Sequence, residues 1–215
     1  LVKQCDVLVE NFKVGGLARY GLDYASVREL NPRLIYCSIT GFGQTGPYAK
    51  RPGYDFMIQG MGGLMSITGE RDGLPGAGPQ KAGVAVTDLF TGMYATVGIL
   101  AALQERQRSG LGQHIDLALL DTHVAMLANQ NLNYMTSGVA PQRAGNAHQN
   151  VVPYQVFQAA DGHMIVAVGN DSQFRAYATA IGRPELGTDP DYATNRARIT
   201  NRVALIEILT AIMRE

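Results

Sequence analysis

Strand-like and helix-like segments alternate through the first half of this 215-residue chain, which predicts an α/β fold. The expected architecture is a Rossmann-like parallel sheet domain followed by a smaller α+β domain. Three observations carry this. Residues 34–39 (Leu-Ile-Tyr-Cys-Ser-Ile) are β-prone and apolar enough for a parallel strand covered on both faces. Val7–Glu10 is a second short apolar strand, with helical stretches between the two. Beyond residue 150 the pattern changes: residues 154–159 and 163–168 alternate around Asp161-Gly162, as a β-hairpin does. Domains are therefore expected at 1–150 and 151–215.

Val7–Glu10 leads into a loop at 11–15 and a helical stretch at 16–20. Tyr24–Leu30 reads as a helix ended by Asn31-Pro32, since proline disfavours helix in the residue before it. In sheets of this type ligands sit beyond the carboxyl ends of the strands, where residues 11–15 and 40–51 fall. Pro52 is well placed as the first residue of a helix running to about residue 64. A glycine- and proline-rich loop, 73–79, precedes a long apolar helix that follows Asp88 to about Arg108, with Gly110 as its stop. Residues 114–120 read as a strand and 121–136 as a helix opened by Asp121. Residues 170–173 start another helix. Asn201 caps the last one, whose Val203, Leu205, Ile206, Leu209, Ile212 and Met213 form an apolar stripe expected in the core. Leu1 is not an initiator methionine, the first strand reads as already inside a sheet, and no glycine or proline marks a stop at Glu215. The chain thus reads as a fragment, with residues expected on both sides.

Composition excludes several classes. Lysine plus arginine and aspartate plus glutamate are both 18, so there is no basic excess of the kind that binds nucleic acid. No apolar run approaches the roughly 20 residues that cross a bilayer, because Thr91, Gly92, Thr96 and Gly98 interrupt the longest one. Neither a nucleic acid nor a membrane is expected as a partner. Cys5 and Cys37 have no C-x-x-C spacing and read as small apolar residues in a reducing compartment. The four histidines, 114, 123, 148 and 163, show no ligand spacing, so no metal site is expected.

The loops carry the candidate chemistry. Asn11-Phe12-Lys13-Val14-Gly15-Gly16 joins a strand to a helix, so its amides are suited to a phosphate, although it is not G-x-G-x-x-G. Lys13 and Arg19 supply charge for a pyrophosphate and Phe12 a face for an adenine; the alternative is an ordinary turn with solvated side chains. The glycines of 41–47 permit close backbone approach to a ligand, or simply serve a turn. Tyr54-Asp55 reads as either catalytic or a helix start answering the dipole. Asp88 sits where a helix N-terminus favours an ionised carboxylate, and such a carboxylate at the mouth of a loop is suited to covalent attack. From the pattern alone the plainer reading is that Asp88 or Thr87 serves as the N-cap, and Asp121 is a second candidate of the same kind.

In order, the segments Asp6-Val7-Leu8-Val9-Glu10-Asn11-Phe12, Asn31-Pro32-Arg33-Leu34-Ile35-Tyr36 and Gly41-Phe42-Gly43-Gln44-Thr45-Gly46-Pro47-Tyr48 resemble the class III CoA-transferases, the CaiB/BaiF family. The resemblance continues through Arg51-Pro52-Gly53-Tyr54-Asp55, Val86-Thr87-Asp88-Leu89-Phe90-Thr91-Gly92, Gly112-Gln113-His114-Ile115-Asp116, and Asn146-Ala147-His148 to Val152-Pro153-Tyr154-Gln155. Within the family, the stretches 38–47 and 152–155 are most similar to succinyl-CoA-dependent members handling dicarboxylic acyl groups.

The resemblance implies that Asp88 is the nucleophile and that Asp121 is a helix-start residue. It places Asn11, Phe12, Lys13, Arg19, Arg51, Pro52, Gly53 and Tyr54 at CoA-contacting positions. It further implies transfer of CoA from an acyl-CoA to a carboxylic acid acceptor through aspartyl anhydride and aspartyl-CoA thioester intermediates. The CoA thioester is then a substrate, and no cofactor is bound permanently. Interlocked homodimers and a glycine-rich loop beyond residue 215 are implied too. A cytoplasmic location is expected, or a mitochondrial one if a targeting peptide precedes Leu1. The alternatives are an α-methylacyl-CoA racemase and a CoA-binding relative without turnover. Racemases of the family carry a histidine where this chain has Tyr54, and tyrosine, with an ordinary pKa of about 10, is a poor base at neutral pH.

Overall fold

The computed structural model describes every residue, Leu1–Glu215. The chain divides into two compact units, one comprising Leu1–Thr68 and Pro79–Gln142, the other Gly69–Gly78 and Arg143–Glu215. The second unit takes in part of the glycine/proline loop as well as the C-terminal residues. Gly145 N–H donates to Gly69 O at 3.1 Å, and Arg143 ion-pairs with Asp72.

In the first unit, β1 (Val7–Glu10), β2 (Ile35–Thr40) and β3 (His114–Ala118) form a parallel sheet in the order β1-β2-β3. The register aligns Val9 with Cys37 and Cys37 with Ile115. Central β2 buries Ile35, Tyr36, Cys37 and Ser38 in succession, which is why it reads as a run rather than an alternation. Helix α1 (Tyr24–Leu30) connects β1 to β2; Asp23 caps it by accepting from Ser26 N–H at 3.1 Å. Between β2 and β3 lie α2 (Asp55–Met61), the short α3 (Leu64–Ile67) and the long α4 (Val86–Ser109). After β3 come α5 (Leu119–Met126) and α6 (Asn129–Ser137). Gly110, at φ +77°, ends α4 by donating to Arg106 O at 2.9 Å, the stop its sequence predicts.

Several expectations need correction. Pro52 does not open a helix: the backbone is still extended at Tyr54 (φ −123°, ψ 149°), α2 begins at Asp55, and Gly63 at φ +96° parts α2 from α3. Residues 121–136 are not one helix. α5 starts at Leu119, and Ala128, at φ +47°, separates it from α6. Ala85 occupies the cap position of α4, so neither Thr87 nor Asp88 is its N-cap. Lastly, α4 does contain an 18-residue window of mean hydropathy 1.5, long and apolar enough to cross a membrane by length and composition alone. Its inner face is nonetheless partly polar. Buried Arg106 donates to Arg33 O at 2.9 Å and pairs with Asp6 at 2.9 Å, within the sheet unit.

The second unit contains an antiparallel hairpin, β4 (Tyr154–Gln158) and β5 (His163–Ala167), closed by residues 159–162 rather than by Asp161-Gly162 alone. Helices α7 (Asp171–Ala180), α8 (Asn195–Thr200) and α9 (Arg202–Met213) complete it. Phe157, Val166, Phe174, Leu205 and Leu209 share its core. Of the apolar stripe predicted on the last helix, Leu205 and Leu209 are fully buried while Val203 is exposed. Asn201 does not cap that helix with its side chain; its amide donates to Asp191 O at 3.0 Å. Fully buried Arg198 is satisfied by Val152 O at 2.6 Å, Tyr192 O at 2.8 Å and Asp171 at 2.9 Å.

Candidate active site

Asp88 is the third residue of α4, within its first turn. One face of the helix presents Asp88, Thr91 and Gly92, spaced i, i+3 and i+4, to a cavity of about 690 Å³. Gly92 meets nothing where a Cβ would stand, so the space one turn beyond the carboxylate is open. Other walls come from the loops that leave the carboxyl ends of β1 and β2, where the topology of a parallel sheet leads one to look. Asn11, Phe12, Lys13 and Val14 follow β1; Gly41 and residues 49–54 follow β2.

The second of these loops is braced internally. Gly41 and Gly53 pack backbone to backbone, and a Cβ on Gly41 would come to 2.5 Å from Gly53 Cα. The Arg51 guanidinium lies 4.2 Å from the Tyr48 ring centre, and Tyr48 meets Phe42 edge-on at 5.4 Å. Gln44 N–H donates to the Asp116 carboxylate at 3.0 Å. The close approach these glycines permit is therefore that of one loop strand to another. Of the glycines in 41–47, only Gly41 reaches the cavity wall.

Asn11, Phe12, Lys13, Arg51, Pro52, Gly53 and Tyr54 are thus gathered with Asp88 around one cavity. Arg19 is not among them. It belongs to the turn Ala18–Tyr20, where its guanidinium lies 4.6 Å from the Tyr20 ring centre. Lys13, Lys50 and Arg51 bring three cations to the cavity, and Phe12 and Tyr54 bring rings that are 59% and 75% exposed. Cations with exposed aromatic faces suit a ligand that carries phosphates and a planar base. Asp121, in the first turn of α5, is exposed and does not line the cavity.

Beneath Asp88 lies a polar cluster. Asp55 Oδ1 accepts from Thr87 N–H at 2.8 Å, taking one of the amides that a helix start leaves unpaired, and Asp55 Oδ2 accepts from Gln59 at 2.6 Å. Buried Thr87 meets His123 Nδ1 through its hydroxyl at 2.7 Å, and its carbonyl accepts from the Thr91 hydroxyl at 2.8 Å. Thr91 reaches on to Thr122 of α5 at 2.6 Å. No protein group donates to the Asp88 carboxylate itself.

Loss of solvation, with the charge of Asp55 added to it, holds the Asp88 carboxyl above its ordinary range. These two causes oppose the preference of a helix start for the ionised form. Burial lowers the His123 imidazole, against the opposing pull of Asp55.

Sequence reasoning assigned no role to Lys50, Thr91, Gly92 or Leu119, all of which line the cavity. Thr91 and Gly92 carried a usable signal, since they share a helix face with Asp88. His123 carried none: a lone histidine in an apolar helix has no spacing to mark it.

The family model described as CoA-transferase family III matches residues 1–215. The chain is 58% identical over 210 residues to succinate–glutarate CoA-transferase of Agrobacterium fabrum, covering 98% of this chain and 52% of that protein. It is 43% identical over 210 residues to human succinyl-CoA:glutarate CoA-transferase, covering 98% of this chain and 47% of the human one. Among solved structures, a CaiB/BaiF family protein from Brucella suis superposes with a TM-score of 0.80 at 55% identity, over all of this chain and 56% of its own. The chain therefore spans about half the length of the curated relatives it matches.

Proposed function

Because the chain belongs to CoA-transferase family III, we propose that the protein containing it moves CoA from an acyl-CoA donor to a carboxylic acid acceptor, with Asp88 as covalent nucleophile. The observation that carries this is the placement of Asp88. Its carboxylate, engaged by no hydrogen bond, faces a cavity that also collects Asn11, Phe12, Lys13 and residues 51–54. On this reading those residues and Lys50 bind the CoA moiety, and the first unit is the CoA-binding domain. The identity of two relatives as glutarate CoA-transferases supports a dicarboxylic acyl group, succinyl or glutaryl, as the cargo.

The chemistry follows from a carboxylate at that point. An Asp88 oxygen attacks the thioester carbonyl, the C–S bond breaks, and CoA thiolate leaves an aspartyl–acyl anhydride. The thiolate attacks the aspartyl carbonyl and expels the donor's carboxylate, leaving aspartyl-CoA thioester. The acceptor carboxylate then displaces the thiolate to form a second anhydride. Attack of the thiolate on the acceptor's acyl carbonyl releases the new acyl-CoA and the Asp88 carboxylate. Each intermediate keeps the reactivity of the thioester, which a serine ester would not return.

A second copy of the chain is the proposed partner. Leu89, Met93, Val97 and Leu100 form one exposed apolar face along α4, at 61%, 64%, 61% and 60% exposure, and such a face suits burial in a homodimer.

The test is isotope exchange in the full-length protein. Labelled succinate should enter succinyl-CoA without any second acid, and Asp88→Asn should abolish that exchange. Undiminished exchange in the variant would remove Asp88 from the reaction.

A further inference from the structure

We propose that His123 is a positioning residue for Asp88, acting through Thr87; this rests on the assignment of Asp88 as nucleophile. A nucleophile whose own carboxylate makes no hydrogen bond is aimed only by the backbone that carries it. That backbone is fixed at the preceding residue. All three polar groups of Thr87 are engaged: N–H by Asp55 of α2 at 2.8 Å, carbonyl by Thr91 at 2.8 Å, and hydroxyl by His123 of α5 at 2.7 Å. Thr87 and His123 are both 0% exposed, so the bond between them is sheltered from competing water.

The ring lies directly against Gly62 of the turn after α2. A Cβ on Gly62 would collide with His123 Cδ2 and come to 3.0 Å from its Nε2, so only glycine fits there. Nε2 is buried and has no partner. A buried polar atom left unsatisfied carries a cost, and a leucine would fill the same space without it. The hydrogen bond the imidazole makes in exchange is the one with Thr87. A neutral ring suffices: one hydrogen shared between Nδ1 and Oγ1 ties the first turn of α4 to α5. The direction from which Asp88 meets a thioester then follows. Asp55 and His123 grip opposite ends of the same residue, its amide and its side chain.

The experiment uses the full-length protein and reads the rate at which Asp88 is acylated by succinyl-CoA in a single turnover, beside KM and the thermal midpoint. Misplacing a nucleophile by about 1 Å costs on the order of 100-fold in rate. His123→Leu should therefore acylate roughly 10- to 100-fold more slowly than wild type, with KM for acyl-CoA unchanged. His123→Asn, whose amide can stand where Nδ1 stood, should recover most of the rate. Thr87→Val removes the same bond from its other side; it should match His123→Leu, and the double variant should be no slower than either. It also replaces His123→Leu as the test should that variant fail to fold. An acylation rate within twofold of wild type in His123→Leu or Thr87→Val overturns the proposal. Equal loss in His123→Asn and His123→Leu, in step with a lowered thermal midpoint, overturns it too and leaves the ring a packing element. No acylation of Asp88 in wild type would instead remove the reading on which the proposal rests.

Discussion

Two carboxylates at the start of α4 divide their labour by environment. Asp55 spends both oxygens on hydrogen bonds, to Thr87 N–H and Gln59, whereas Asp88 keeps both free. Desolvation, and then the charge of Asp55, raise the Asp88 carboxyl. The sign follows from the proposed mechanism: the attacking form is the anion, so transfer should be present above the raised pKa and be lost as pH falls through it. Asp55→Asn removes one of the two causes, so the acid limb of the kcat/KM profile should move to lower pH, and a limb shifted upward would contradict the assignment. Ionised Asp88 is also costlier in the folded than in the unfolded state. Its contribution to stability is present at low pH and is lost as pH rises from the ordinary carboxylate range through the folded value. Asp88→Asn should accordingly unfold at a slightly higher temperature than wild type at neutral pH, the usual exchange of activity for stability.

At the scale of elements, the site is two loops and one helix end arranged on a parallel sheet. The loop after β2 depends on the contact between Gly41 and Gly53, where there is no room for a Cβ on either side. Gly53→Ala should cost about 1–3 kcal/mol in stability, as overpacking does, and should raise KM for acyl-CoA as Arg51 and Tyr54 are displaced. Unchanged thermal midpoint and KM would show the loop to be more compliant than its geometry implies.

Most of this arrangement was legible beforehand. The apolar run of β2, the Asn31-Pro32 stop, the Gly110 cap and the placement of 11–15 and 40–51 beyond strand ends are all local signals. What escaped had a tertiary cause. Pro52 signals a helix start, but the chain stays extended through Tyr54 so that Gly53 can lie on Gly41. Thr87 and Asp88 are good capping residues, yet the orphan amide is taken by Asp55 from another helix. His123 is visible only once α2, α4 and α5 are brought together.

At the scale of the whole molecule, this chain is about half of the relatives it resembles, and its longest helix shows an apolar face to solvent. Covering that face is worth on the order of 25 cal/mol per Å² of apolar surface. If the proposed homodimer forms through this face, Met93→Lys with Val97→Lys should leave the full-length protein monomeric in light scattering; a dimer that survives both charges would place the interface elsewhere. The central claim is covalent transfer through Asp88, and the most direct test is to trap the full-length protein with succinyl-CoA or glutaryl-CoA and analyse its peptides by mass spectrometry. An acyl or CoA adduct, sensitive to hydroxylamine, on the peptide containing Asp88 is the predicted result. No adduct there, together with deuterium uptake at the carbon beside the thioester, would contradict it and make the protein a racemase.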